Sequence, residues 1–234
     1  MAAHARLLSE QRAPVALTLG ETNVRIEALT LLGGAQAPAT VNVQHGIISE
    51  NPLRAEYQFD AFCVFGDAVA DTLTRLGTPR AHIRVVGDPR VDELARSGTE
   101  GDSGDAGRSA RERLGVRTRH VVLFVGQHAN RFMSTSTLYQ SLSLALRAVA
   151  RVPDTTCVVK LHPLGSGREA PYVAALNKWA PDATVVVRDE QLTDLIQAAD
   201  CVMLHSSSVG FEAAARRKPV IITDIHGAAG MTPF

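Results

Sequence analysis

LIQAADCVMLHSSSVGFEAAARRKPVII, residues 195–222, has the form helix, strand, polar turn, helix, strand. The short apolar run Cys201 to Leu204 breaks into His205-Ser206-Ser207-Ser208, and small and apolar residues at helical spacing follow. Serine is a favoured N-cap, and a helix N-terminus offers unpaired N–H groups and a positive dipole end. Such a turn suits an anion, most often a phosphate. A single serine there needs no role beyond capping; three in a row, with Gly210 and Glu212 in the first turn, suggest more.

The same alternation runs outward from this stretch in both directions. Towards the N-terminus, strands are expected at Val121–Val125, Thr156–Leu161 and Thr184–Val187, separated by helices at Leu138–Val149, Ala170–Trp179 and Leu192–Ala199. The last strand is expected at Val220–Thr223. Short apolar strands alternating with amphipathic helices imply parallel β-α units, because parallel strands need crossover connections. This half therefore reads as a Rossmann-like domain. Earlier in the chain the rhythm recurs, with strands expected at Val15–Leu19, Thr40–Val43, Asp60–Phe65 and Ile83–Val86, and helices at Val24–Leu32 and Ala68–Leu76. The opening dozen residues form either a helix or a frayed end.

Between the halves lies SGTEGDSGDAGRS, Ser97 to Ser109, with alanine as its one apolar residue. That composition buries too little surface to offset its ordering entropy, so a flexible linker is expected over 97–109. The expected division is then a partial N-terminal Rossmann-like domain over 1–96 and a C-terminal one over 110–234; two such domains joined by a linker would leave a cleft between them. The N-terminal half is expected to be incomplete, since a full domain of this type needs further β-α units, and no returning helix is expected after the last strand, as in a fragment or a divergent short homologue.

Composition narrows the function classes. Lys plus Arg number 24 and Asp plus Glu number 24, so the chain carries no net charge to draw it to nucleic acid. The triplet Arg216-Arg217-Lys218 is expected to complement the dipole at a helix C-terminus. Cys63, Cys157 and Cys201 sit in apolar runs without C-x-x-C spacing, as reduced core residues of a cytoplasmic protein do. No window approaches the length of a membrane span, which leaves only peripheral membrane association open. GxGxxG and P-loop fingerprints are absent, so no dinucleotide or Walker-type ATP site is expected. Neither an Asp-x-Asp pair nor a His/Cys cluster has metal-ligand spacing, so neither metal nor cofactor is expected.

In open α/β sheets ligands bind beyond the carboxyl ends of the strands. Polar residues collect at those ends: Gly126, Gln127 and His128; His162; Arg188 and Asp189; His205 through Ser208; and, in the first half, Gln44, His45, Gly46 and Asp88. In Val159-Lys160-Leu161-His162-Pro163, strand alternation directs Lys160 and His162 to one side and proline ends the strand. His162 could donate to a phosphate oxygen, with Lys160 adding charge or standing as a solvated strand residue.

His162-Pro163 and Ser206-Ser207-Ser208 followed by Glu212-Ala213 resemble the HP and SS motifs of GT-B fold glycosyltransferases of bacterial surface-polysaccharide synthesis. Sialyl- and Kdo-type transferases that use CMP-sugars, and the CDP-glycerol glycerophosphotransferases, share the pattern. Asp60 to Gly66, Val85-Val86-Gly87 and Asp88 to Asp92 resemble the end of the N-terminal domain in that superfamily, so the resemblance spans roughly residues 40 to 225. It implies a metal-independent enzyme that transfers a sugar or polyol phosphate from a nucleotide-activated donor to a glycan or polyol acceptor. His162, Ser206, Ser207 and Ser208 would hold the donor phosphate, with Gln127 and Lys160 nearby. Glu212 would hold the ribose or sugar, and His45 would deprotonate the acceptor hydroxyl. The D/E-D/E-G signature of the sialyltransferase-like members is absent, which counts against CMP-sialic acid. Alternatives are a UDP-sugar 2-epimerase-like enzyme and a catalytically incomplete nucleotide-binding module.

Overall fold

A computed structural model describes residues 14–19, 38–48, 59–97, 102–129, 133–163, 169–223 and 225. The expected helix at Val24–Leu32 and the opening dozen residues lie outside these. The chain divides into two compact units, Met1–Asp88 in the first and Pro89–Ala229 in the second.

In the first unit, strands β1 (Val15–Leu19), β2 (Ala39–Val43), β3 (Ala61–Val64) and β4 (Ile83–Val85) form one parallel sheet in the order 1-2-3-4. Helix α1 (Asp67–Arg75) turns Val69, Ala70 and Leu73 onto Phe62, Val64 and Ile83. It stops at Gly77, whose φ of 100° is a conformation that a side chain would strain. Before β3, the Asp60 carboxylate accepts from both the backbone N–H and the hydroxyl of Thr40 on β2, at 2.7 and 3.0 Å. Those bonds hold its pKa below the usual carboxylate value.

The second unit opens with α2 (Pro89–Ser97) and α3 (Asp102–Arg113). It continues through β5 (His120–Val125), α4 (Thr135–Val149), β6 (Thr155–Lys160), α5 (Ala170–Trp179) and β7 (Thr184–Val187). It closes with α6 (Leu192–Ala198), β8 (Cys201–Leu204), α7 (Val209–Ala215) and β9 (Val220–Ile222). The five strands are parallel in the order β7-β6-β5-β8-β9. Both faces are covered. Phe124, Cys157, Val159 and Met203 pack on one side with Leu138, Leu142 and Leu146 of α4 and Ala175 of α5. Val121, Leu123, Val125, Val202 and Leu204 pack on the other with Leu195 and Ile196 of α6 and Ala213 of α7. Every residue of β6 is buried, as a central parallel strand covered on two faces requires.

The expected linker over 97–109 needs correcting, because Asp102–Arg113 is a helix. Its stability comes from distant partners rather than its own composition. A Cβ at Gly107 would stand 2.9 Å from the Gln197 carbonyl, so only glycine lets α3 approach α6 this closely. Arg111 then donates to the Ala198 carbonyl at 2.7 Å and pairs with Asp200 at 3.0 Å, and Arg113 pairs with Asp194 at 2.6 Å. Asp200 in turn accepts from the Val121 N–H at 2.7 Å, which ties β8 to the start of β5.

The basic triplet is also placed differently. Helix α7 ends at Ala215, Arg217 takes a left-handed conformation (φ 55°), and Lys218 donates to the Gln197 and Ala199 carbonyls. The cation thus serves the C-terminus of α6, not that of its own helix. Among the described residues no helix is long and apolar enough to cross a membrane.

Candidate functional site

The strand order of the second unit reverses between β5 and β8, the place where an open α/β sheet forms its ligand crevice. Gln127 follows β5 and Ser206 follows β8. The Gln127 side-chain amide joins them: its N–H donates to the Ser206 carbonyl, and its oxygen accepts from the Ser206 N–H at 3.3 Å. Gln127 therefore holds the serine turn in register with β5 and spends its own polar atoms doing so. The sequence placed it among the donor contacts; the geometry makes it the tether of the serine turn.

The backbone of Gln127 is fixed just as closely. The buried Tyr172 hydroxyl on α5 accepts from the Gln127 N–H and donates to the Gln127 carbonyl, both at 2.6 Å. Burial pushes the phenol up to about 12, so it stays protonated and performs both roles. One residue earlier, the Gly126 N–H donates to the Lys160 carbonyl at 2.8 Å. A Cβ at Gly126 would lie 2.9 Å from that carbonyl oxygen and 3.3 Å from the Tyr172 hydroxyl. Tyr172 was not singled out by sequence, since an aromatic residue on an amphipathic helix looks like ordinary core.

In the serine turn, helix α7 begins after Ser208, whose side chain caps nothing. Ser207 supplies the cap instead, its hydroxyl oxygen accepting from the Val209 N–H at 3.3 Å. Because that oxygen accepts, the Ser207 hydroxyl proton is available to a ligand. Ser206, Ser207, Ser208 and Glu212 are all half-buried. Glu212 falls one helical turn after Ser208, on the same face of the chain. His205 turns towards β9, its Nδ1 2.7 Å from the Thr223 carbonyl.

On the other side of β5, His162 follows β6 and stands beside His128, with ring centroids 4.6 Å apart and planes at 46°. Burial first, and then the neighbouring His128 and Lys160, hold the His162 pKa below its ordinary value. The ring is therefore neutral at neutral pH, with one N–H to donate. The proximity of His128 to His162 follows from strand pairing, since β5 and β6 are neighbours and both histidines lie just beyond the paired ends. Lys160 is neither solvated nor held out to a ligand. It is buried, and its amino group donates to the Arg188 carbonyl at the end of β7. Arg188 pairs with Glu169 at 2.6 Å, which steadies the same corner.

His45 belongs to the first unit, where it is exposed after β2. Its neighbour Gln44 is 2 % exposed; the side chain accepts from the Phe65 N–H and donates to the Gly46 carbonyl, each at 2.8 Å. Gln127, His162, Lys160, the three serines and Glu212 thus share the second unit: Gln127, His162 and the serines follow β5, β6 and β8 at one sheet edge, Lys160 ends β6, and Glu212 lies one turn into α7. Among the described residues, no three His, Cys, Asp or Glu side chains gather as a metal site would need.

Solved structures share this α/β fold. Anabaena HepE in complex with UDP-glucose is 14% identical, matches all of this chain and 65% of its own, and superposes with a TM-score of 0.65. The UDP-GlcNAc 2-epimerase of Neisseria meningitidis bound to UDP-GlcNAc is also 14% identical, with 94% of this chain and 62% of its own covered and a TM-score of 0.68. Staphylococcus aureus MnaA with UDP gives 12% identity, 96% and 60% coverage, and a TM-score of 0.67. This chain therefore spans less than two thirds of the length of each of these three structures. Likeness at such identity establishes the Rossmann-like GT-B type of fold, and a more specific relation comes from the sequence itself. Residues 114–232, just over half of the chain and all of the strand-order reversal, match the family described as capsule polysaccharide biosynthesis protein, and the chain belongs to that family.

Proposed function

We propose that the second unit binds the nucleotide of an activated donor at the β5–β8 edge, and that the chain transfers the donor's sugar or polyol phosphate to an acceptor hydroxyl during surface-polysaccharide synthesis. The observation that carries this proposal is the Gln127 tether, which presets the serine turn at the strand-order reversal before any ligand arrives. Preset donors stabilise developing charge without reorganising at the moment of reaction. Ser207 and Ser208 offer hydroxyl protons to a phosphate, and His162, neutral and half-buried, offers an N–H. The positive charge of Lys160, close enough to depress the His162 pKa, favours an anion at the same place. Glu212, an acceptor one turn into α7, suits a ribose or sugar hydroxyl. His45 would take the proton of the acceptor hydroxyl as general base.

A panel of CMP, CDP, UDP, GDP and ADP in a thermal-shift assay tests the binding step. One base should raise the apparent melting temperature by mass action, and Ser207→Ala and His162→Ala should each reduce that rise. Equal shifts in the wild type and both variants would remove the proposed phosphate site. For transfer, His45→Ala should abolish product while leaving nucleotide binding intact.

A second possibility has its own support, since the solved structures of this fold include UDP-GlcNAc 2-epimerases. Incubation with UDP-GlcNAc and no acceptor separates the two. Formation of the 2-epimer or of free UDP favours the epimerase; an absolute requirement for an acceptor favours the transferase.

A further inference from the structure

We infer that His205 is a specificity residue of this site, presenting a hydrogen-bond acceptor to a hydroxyl of the ligand's ribose or transferred sugar. The inference rests on the second unit being a nucleotide-donor site. Its basis is the way the imidazole is held. A backbone carbonyl only accepts, so the 2.7 Å contact with the Thr223 oxygen requires Nδ1 to carry the proton. In the neutral ring the lone pair is then confined to Nε2.

The carbonyl that sets this tautomer is itself immobilised. Thr223 is 2 % exposed; its N–H donates to the Leu204 carbonyl at 2.8 Å, and its hydroxyl reaches the same oxygen at 3.2 Å. Ser141 on α4, also buried, meets the Thr223 hydroxyl at 2.5 Å. A buried chain of bonds from α4 through the end of β9 thus orients one half-exposed ring. No hydrogen bond to Nε2 is formed among the described residues, and the ring lies one residue before the tethered Ser206. Orientation by a partner on the far nitrogen is how proteins prepare a histidine to present its other nitrogen. An acceptor-only nitrogen selects a hydroxyl or N–H, not a phosphate oxygen. His205 therefore complements the serines, whose protons serve the phosphate, by recognising the hydroxylated part of the same ligand.

His205→Asn and His205→Phe separate this role from a structural one. The asparagine amide N–H can take the place of Nδ1 and keep the bond to Thr223, but it has nothing at the position of Nε2. Affinities for UDP, UDP-glucose, CDP and CDP-glycerol are measured by calorimetry on the full chain, with thermal unfolding in the absence of ligand. Both variants should bind about tenfold more weakly, one ligand hydrogen bond's worth. The asparagine variant should also melt as the wild type does. Weakening for the free nucleotides as well as their conjugates assigns the hydroxyl to the ribose; weakening for the conjugates alone assigns it to the transferred group. Wild-type affinity in His205→Asn, whether or not His205→Phe is impaired, overturns the inference and leaves the donor site standing. If the wild type binds none of these four ligands and none of CMP, GDP and ADP, the donor site and the inference fall together.

Discussion

Each unit has a Gln-His pair just beyond a strand end, Gln44-His45 after β2 and Gln127-His128 after β5, and the two pairs are built for different ends. In the first, Gln44 is buried and bonds within its own corner, to Phe65 and Gly46, and the histidine is left exposed. In the second, Gln127 reaches across the strand-order reversal to Ser206, Tyr172 grips its backbone from α5, and the histidine lies against His162. One corner presents a side chain; the other immobilises a surface. That contrast matches the proposed division between an acceptor-activating base, which gains from access, and a phosphate site, which gains from being set in advance.

The sharpest way to break the comparison is at the two glycines. Gly126→Ala forces a Cβ to 2.9 Å from a backbone oxygen, whereas a Cβ at Gly46 meets nothing within 4 Å. Urea denaturation should show Gly126→Ala destabilised by about 3 kcal/mol, the upper part of the range for overpacking, and Gly46→Ala changed by less than about 0.5 kcal/mol. Tyr172→Phe should come next, losing about 2 kcal/mol because both backbone groups of Gln127 are left without their partner. It should also weaken the nucleotide-dependent melting shift. Comparable losses for Gly46→Ala would show that the first corner is as tightly set as the second.

The two glutamines separate stability from binding. Gln44→Ala removes the acceptor of the Phe65 N–H and should cost about 1 kcal/mol, with nucleotide affinity unchanged. Gln127→Ala should cost a similar amount yet lower nucleotide affinity about tenfold, as the serine turn loses its tether. The smallest effect is on pH dependence. His162 has a native pKa below 6.5, so on acidification the unfolded chain takes up a proton before the native state does. Native stability is therefore full above pH 6.5 and declines as the pH falls from there through the native value. In denaturation curves at about pH 7.5 and about pH 5.5, His162→Gln should flatten this decline. An unchanged slope would place the acid sensitivity elsewhere.

Strand positions were legible in the sequence because each is a short β-branched or apolar run that ends in Gly, Pro or a polar residue. Thr184–Val187 and Cys201–Leu204 match their expected bounds at both ends. The edge that carries the candidate site was legible for the same reason: a parallel sheet gathers whatever follows its strands. What each polar group does there was not. The amino group of Lys160, the amide of Gln127 and the hydroxyl of Tyr172 find partners 28, 79 and 45 residues away, and no local pattern encodes them. The helix at Asp102–Arg113 was hidden likewise. Gly107 reads as a helix breaker until the Gln197 carbonyl is seen against it.

The Gln127–Ser206 bond has a kinetic meaning as well. It joins residues 79 apart that meet where β8 pairs with β5, so the loop that contains β6, β7 and their helices is closed when it forms. Ser141–Thr223 closes an equally long loop of 82 residues. Loops of this length are costly to close, so this sheet edge is expected to form late in folding and not as its nucleus. A ligand that bound at that edge would therefore stabilise the pairing of β8 with β5 and, through it, the whole second unit.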